Sequence, residues 1–352
     1  MTETPSFDIR QAIQKVVDGC ELSTDEAAAA MDTIMTGQAT AAQIGALLTA
    51  LRMRGETVGE IAGFAKAMRR HAKAVSLPPS DAPVVDTCGT GGDGAGTFNV
   101  STTAAFVIAG AGVRVAKHGN RSITSRCGSA DLLEGLGVRI DLSPEQVAVC
   151  IERAGIGFMF APSFHPGFRH AGPARKEIGI RTVFNILGPL TNPAGVRRQL
   201  IGVGHPGIAR KLAEAQAMLD AEHIVIVHSD GVDEIGIASS TTVTEFDRRV
   251  GDVRTYEIGP ETFGLSRTPL DCIAGGTVDV NVAITKAVLG GEPGPYRDVT
   301  LLNAAAGLYA ANAVDSLEEG IALAAETIDS GRALAALHAL IAVSNQAEVT
   351  AD

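Results

Sequence analysis

The chain has 352 residues, 45% of them hydrophobic and 20% charged, which is enough to bury one large core or two unequal ones and excludes a mainly disordered polypeptide. A formal net charge of −11 excludes a surface built to neutralise nucleic-acid phosphate, so an anionic ligand must be captured by a local pocket. Cys20, Cys88, Cys127, Cys150 and Cys272 show neither CxxC nor Cys/His ligand spacing, and the acidic start "MTETPSFDIRQ" leads into no apolar run of membrane-spanning length, so reduced thiols and a cytoplasmic location are expected.

The first element is a helical bundle. Ser23 with Glu26, Thr40 with Gln43 and Thr57 with Glu60 have the spacing at which two side chains cap each other's backbone N–H. Apolar stripes at helical spacing follow, namely Ile44, Leu47, Leu48 and Leu51, then Ile61, Phe64, Ala65 and Met68. "SLPPSDAP" (76–83) gathers three prolines and predicts a domain boundary. Short β-rich runs at 83–86, 113–116, 158–160, 199–203 and 223–228 then alternate with helical segments. One of these is opened by Ser143, Pro144 and Gln146 and another runs over about 208–219. This alternation predicts an α/β fold with a mostly parallel central sheet. From "AGGTVDVN" (274–281) onward the chain reads as helical, with a capping pair at Ser316 and Glu319.

Four loops carry the chemistry. "VVDTCGTGGDGAGTFNVST" (84–102) lies between a strand at Val84 and Val85 and a helix beginning near Ser101. Its backbone N–H groups, beside a helix N-terminus, suit a phosphate. The spacing is neither GxxxxGK[ST] nor a clean GxGxxG, so the loop alone reads equally as a tight turn. "VAKHGNRSITSRCGSAD" (115–131) gathers Lys117, His118, Asn120, Arg121 and hydroxyls at a strand end, where ligands bind in open α/β sheets. "HSDGVDEIG" (228–236) puts Asp230, Asp233 and Glu234 after an apolar strand, either a plain acidic turn or the carboxylates of a Mg²⁺ site. "RHAGPARKEIGIRTVFNILGPLTNPAG" (169–195) supplies Arg169, Arg175, Lys176 and Arg181; a guanidinium matches a carboxylate ligand, and most of the four read as surface charges. His118 and His165 are weak acid/base candidates, and Cys88 reads as a packing residue.

With "GSADLLEGLGV" and "GFMFAPSFHPGFRH", these motifs in this order resemble the anthranilate phosphoribosyltransferases of tryptophan biosynthesis over essentially the whole chain. Cys127 departs from the pattern, which has a small hydroxyl residue ahead of "GSAD". The resemblance implies transfer of the 5-phosphoribosyl group from phosphoribosyl pyrophosphate to the amine of anthranilate, with Mg²⁺, two ions when the donor is bound, and no covalent nucleophile. It implies a homodimer that engages neither nucleic acid nor membrane. It also implies a small helical domain, 1–76, to which a segment at about 166–192 returns, and a large α/β domain of nucleoside-phosphorylase type, 77–165 and 193–352.

Carried over by position, the donor would meet Gly89, Gly92, Asp93, Thr97, Asn99, Val100, Ser101, Thr102, Lys117, His118, Gly119, Asn120, Arg121, Ser122 and Ser129. Anthranilate would meet Gly89, Asn120, Arg175 and His118, and the metal Ser101, Asp233 and Glu234. The alternatives are a pyrimidine nucleoside phosphorylase-like enzyme and a non-catalytic nucleic-acid-binding relative on the same fold.

Overall fold

Each capping pair at the start of the chain closes a helix. In a computed structural model describing residues 7–78, 80, 82–122 and 126–346, Ser23/Glu26, Thr40/Gln43 and Thr57/Glu60 make both reciprocal bonds at the heads of α2 (Thr24–Met35), α3 (Ala41–Arg54) and α4 (Val58–Arg70). Asp8 and Gln11 do the same for α1 (Ile9–Val17). Both predicted apolar stripes are buried. Pro79 and Asp81 of the proline-rich stretch lie outside the described residues; around them Lys73 N–H donates to the Phe164 carbonyl at 2.8 Å and Val75 N–H to the Pro193 carbonyl at 3.0 Å.

The α/β part then runs β1 (Val84–Gly89), α5 (Val100–Gly110), β2 (Arg114–Gly119), α6 (Ser129–Gly135), α7 (Pro144–Ala154), β3 (Ile156–Phe160), α8 (Ala161–Phe164), α9 (Phe168–Ile178), α10 (Phe184–Leu187), β4 (Arg198–Gly202), α11 (Ala209–Met218), β5 (His223–His228), β6 (Thr241–Asp247) and β7 (Val253–Ile258). It ends in α12 (Val278–Leu289), α13 (Pro295–Ala310), α14 (Leu317–Asp329) and α15 (Arg332–Gln346). Among the described residues the sheet has the order β3-β2-β1-β4-β5-β6-β7. Strands β1 to β5 pair in parallel, and β6 and β7 are antiparallel additions. No helix among the described residues is long and apolar enough to cross a membrane.

Two apolar cores result. One lies around α5, α7, α13 and α15 against one face of the sheet, with Phe106, Ile108, Leu302 and Leu337 buried in it. The other joins the N-terminal helices to Ala171 and Ala174 of α9 and to Phe184 and Leu187 of α10, and continues onto α11 and the opposite faces of β4 and β5. Segment 168–187 therefore packs with a bundle built from residues 9–70, remote from it in the chain.

Helices α2 and α4 cross closely at Gly63, where a Cβ would run into the Thr24 carbonyl and lie 2.8 Å from Ala27 Cβ. Gly to Ala in an open helix position stabilises by about 1 kcal/mol. Here the overpacking term of about 1–3 kcal/mol is the larger. Gly63→Ala is expected to lower the urea midpoint, and a raised midpoint would show that the helices can part without loss.

Candidate active site

Strand order fixes where the loops meet. The chain leaves β1 toward β2 on one side, while β4 lies on the other, so the carboxyl ends of β1 and β4 flank the point where connections diverge. The glycine loop leaves β1 there. The 229–236 loop leaves β5 and folds back across the end of β4: a Cβ on Gly202 would run into the Asp233 main chain, and one on Gly89 would lie 2.5 Å from Asp233 Oδ2. Two glycines at the strand ends thus clear the surface on which the acidic loop lies.

The loops are tied together by carboxylates. Gly91 N–H donates to Asp233 Oδ2 at 3.0 Å and Ser101 N–H to Glu234 Oε1 at 3.2 Å. Glu234 thereby caps α5, because Asn99 makes no side-chain cap. Asn99 instead donates from Nδ2 to the Cys127 carbonyl at 3.0 Å and accepts from Asn281 at 2.8 Å, tying the 126–128 loop to the start of the helix. Asp233 N–H reaches toward Asp93 Oδ2 at 3.5 Å.

Burial first, and the neighbouring Asp93 charge second, push Asp233 up to about 7. Glu234 is pushed well above its ordinary range by burial and by Asp233. Both carboxyls are therefore short of positive charge, and as ions they only accept hydrogen bonds. This oxygen-rich, negatively crowded set fits a hard cation such as Mg²⁺. A second acidic cluster, His223, Glu245 and Asp247, has ligand atoms within 4.8 Å of one another. It is already matched by Arg254 on Glu245 at 2.9 Å and Arg249 on Asp247 at 2.7 Å, so its role is structural.

Beneath the loops is a polar floor. Lys117, 2% exposed, reaches from β2 to the Thr87 carbonyl on β1, and Thr87 Oγ1 donates to the Ser101 carbonyl at 3.0 Å. Asp86, fully buried, accepts from His118 N–H at 3.2 Å and from Asn192 Nδ2 at 2.9 Å. Burial raises the Asp86 carboxyl against the opposing Lys117 charge, and burial lowers Lys117 against Asp86. Sequence reasoning missed Asp86 and Asn192; a lone carboxylate in an apolar strand was the available signal. It assigned Lys117 to the donor, whereas its ammonium here lies against the main chain of β1.

The remaining candidates divide into open and occupied groups. Gly89, Gly92 and Asn120 are exposed, while Asp93, Thr97, Ser101, Gly119, Ser122 and Ser129 are partly exposed. Val100 and Thr102 are buried, so their side chains face the core. Arg121 is paired with Asp131 at 2.9 Å and with Glu134. Ser129 Oγ donates to the Asn120 carbonyl at 3.2 Å. The Cys127 side chain packs into the core, where burial pushes its thiol up to about 11. Residues 123–125 of this loop lie outside the described residues.

Arg175 on α9 is only partly buried, with its guanidinium over the Phe168 and Phe184 rings at 4.7 and 5.0 Å. Burial lowers its pKa, and among the described residues no carboxylate pairs with it, so it is presented as an aromatic-backed cation. His118 and His165 lie ring to ring at 5.0 Å, each with a buried Nε2 that has no partner among the described residues.

The family profile "Glycosyl transferase family, helical bundle domain" matches residues 10–72, and "Glycosyl transferase family, a/b domain" matches residues 81–334. An anthranilate phosphoribosyltransferase of Thermomicrobium roseum is 58% identical over 96% of this chain and 97% of its own length. The crystal structure of the anthranilate phosphoribosyltransferase of Thermus thermophilus superposes with a TM-score of 0.89 at 44% identity, covering 95% of this chain and 99% of that one. The Saccharomyces cerevisiae enzyme, in complex with PRPP and Mg, does so with a TM-score of 0.88 at 32% identity, covering 96% and 98%. These likenesses favour neither the nucleoside phosphorylase nor the nucleic-acid-binding alternative.

The buried imidazoles give a pH prediction. Burial holds His165 near 4 in the folded chain, below its ordinary 6.5. Between these values the unfolded chain takes up a proton that the native protein does not, so the contribution of His165 is complete above about pH 6.5 and is lost as pH falls toward 4. At pH 5 the loss is about 2 kcal/mol. His165→Asn should therefore lose about that much less stability than the parent between pH 7.5 and pH 5 in urea titrations. Identical losses would mean that His165 is hydrated in the folded state.

Proposed function

The chain belongs to the anthranilate phosphoribosyltransferases of the glycosyl transferase family, and from that premise we infer that it moves the 5-phosphoribosyl group of phosphoribosyl pyrophosphate onto the amine of anthranilate, yielding N-(5-phosphoribosyl)anthranilate and pyrophosphate. The observation that carries this reading is the acidic pair Asp233–Glu234, hydrogen-bonded to the amides of the glycine loop and of α5 across the ends of β1 and β4.

Gly89, Gly92 and Asp93 form the donor cradle together with the first turn of α5, whose partial positive charge favours phosphate. Asn120, Ser122 and Ser129 close it from the β2 side. Asp233, Glu234 and Ser101 would hold Mg²⁺, two ions with the donor bound, which supplies charge neutralisation on the departing pyrophosphate. Arg175 receives the anthranilate carboxylate through its fork, with Gly89 and Asn120 along the ring.

Burial, followed by the charges of His165 and Lys117, holds His118 down to about 3, so it is neutral at working pH and does not protonate the amine. An aromatic amine already has its lone pair free, and the chain's task is to bring it to the anomeric carbon and keep water away. Cys88, at the root of the loop, is pushed well up by burial and by Asp86. It stays protonated and takes no part as a nucleophile.

The two cores support a division into a small domain, 1–76 with about 166–192, and a large domain, 77–165 with 193–352, the substrates meeting between them. We assign the enzyme to the cytoplasm as a homodimer. Adding phosphoribosyl pyrophosphate and Mg²⁺ to the protein with anthranilate should extinguish anthranilate fluorescence, and unchanged fluorescence overturns the reading.

Asp233→Asn combined with Glu234→Gln should abolish turnover without lowering the melting temperature of the ligand-free protein. Burial already favours the neutral form at both positions, and sites assembled for a ligand are commonly stabilised by neutral replacements. Near-parental turnover at ordinary Mg²⁺ would remove these residues from the metal site. Arg175→Ala should raise the Michaelis constant for anthranilate roughly tenfold to a hundredfold, at about 1.5–3 kcal/mol for a charge-assisted contact, with that for the donor moving much less. Both constants unchanged, with a lower melting temperature, would make Arg175 a packing residue.

A further inference from the structure

Arg181 lies in the connector between α9 and α10, six residues beyond Arg175, and the chemistry above does not use it. Its Nη1 donates to the Gly92 carbonyl at 3.1 Å and its Nη2 to the Gly91 carbonyl at 3.4 Å. A Cβ on Gly92 would lie 2.5 Å from Nη1 and 3.5 Å from Cζ, so the guanidinium rests directly on the loop backbone. Its hydrogen bonds among the described residues go to these two carbonyls and to no carboxylate.

Holding two successive carbonyls has a geometric consequence. No peptide among the described residues is cis, and in a planar trans peptide the N–H points opposite to the C=O. With the Gly91 and Gly92 carbonyls turned onto Arg181, the amides of Gly92 and Asp93 face the other way as a consecutive pair. Consecutive amides on one side of a turn form an anion-binding concavity. The preceding amide, Gly91 N–H, is already taken by Asp233. In a stretch where Gly91, Gly92, Gly94 and Gly96 all have positive φ, the backbone has little intrinsic preference for this orientation, so an outside contact must select it.

We propose that Arg181 is a positioning residue for the donor: its two-pronged contact fixes the glycine loop with the Gly92 and Asp93 amides presented to a phosphate or pyrophosphate group. The proposal rests on the donor-site reading given above. Fork geometry is essential, because a lysine ammonium is a point charge that does not reproduce two parallel N–H bonds on adjacent carbonyls.

The test compares Arg181→Ala and Arg181→Lys with the parent enzyme in steady-state kinetics and in thermal shift with pyrophosphate and Mg²⁺. Both variants should raise the Michaelis constant for the donor about tenfold or more. The turnover number should stay within about threefold, and the ligand-free melting temperature within about 2 °C, as for a partly exposed side chain outside the cores. The pyrophosphate-induced shift seen in the parent should be lost in both.

A donor constant within about twofold of the parent in Arg181→Ala overturns the proposal. So does recovery to that level in Arg181→Lys, since charge without the fork would then suffice. A parent enzyme that leaves anthranilate unconsumed overturns the functional reading instead. In that case the pyrophosphate shift still decides on Arg181, and its absence from the parent, or its survival in both variants, overturns the positioning role.

Discussion

The constraint on which this architecture turns is the gathering of Asp93, Asp233 and Glu234 at the ends of two neighbouring parallel strands, partly out of water. Like charges at such a place oppose folding unless protonated or matched, and the surroundings are arranged around that opposition. Glycines at 89 and 202 remove the side chains that would hold the acidic loop away, and the amides of Gly91 and Ser101 each take one carboxylate oxygen. The nearest buried cation, Lys117, is directed at the β1 main chain and shares its field among Asp86, Cys88 and Glu234. The residual shortage of positive charge is the property that suits the site to a cation, and a tighter built-in counter-ion would remove it.

Below the site, Asp86 begins a relay of buried amides. Asn192 bonds Asp86 and the Ala116 carbonyl. Gln199 bonds the Pro189 carbonyl and meets Gln216, which in turn accepts from Arg69 on α4. The Gly/Pro-rich turn at 188–195 thus owes its shape to a demand made by a carboxylate on β1. Each polar group along the relay has a partner, which is the condition under which burying it does not destabilise the fold. Because one end touches the strand beneath the glycine loop and the other the N-terminal bundle, the relay also sets how the two cores meet.

How much of this could be read from the sequence depends on how far apart the interacting residues lie. Capping boxes join residues three apart, so the heads of α2, α3, α4 and α7 are legible from single short windows; at α14 Ser316 accepts from Glu319 N–H, while the Glu319 side chain takes the Asp315 N–H in place of closing the box. The parallel strands show as apolar runs. Strands β6 and β7 escaped because polar residues, Thr241, Thr244, Glu245 and Asp247, are buried among the apolar ones of β6: Glu245 is buried on His223, Arg254, Tyr256 and Tyr309, partners drawn from up to 64 residues away, and no local pattern reveals that such a carboxylate is matched. The site divides in the same way. Its loops are contiguous and could be read as motifs. Asp86, Asn192 and the carbonyl contact of Arg181 depend on chain crossings that only the fold creates.

The same reasoning explains why α9 and α10 pack with the N-terminal bundle and not with the helices beside them in sequence. Phe168 and Phe184 meet edge to face at 5.4 Å beneath the Arg175 guanidinium, and Ala171 and Ala174 are small enough to let α9 lie close on the bundle. The apolar side of this segment is consumed by the small core, and beyond it Arg181 reaches the glycine loop at the Gly91 and Gly92 carbonyls. An acidic chain can in this way set a cation against a loop that has no lysine or arginine of its own. The local positive field is obtained by topology while the net charge of the molecule remains strongly negative.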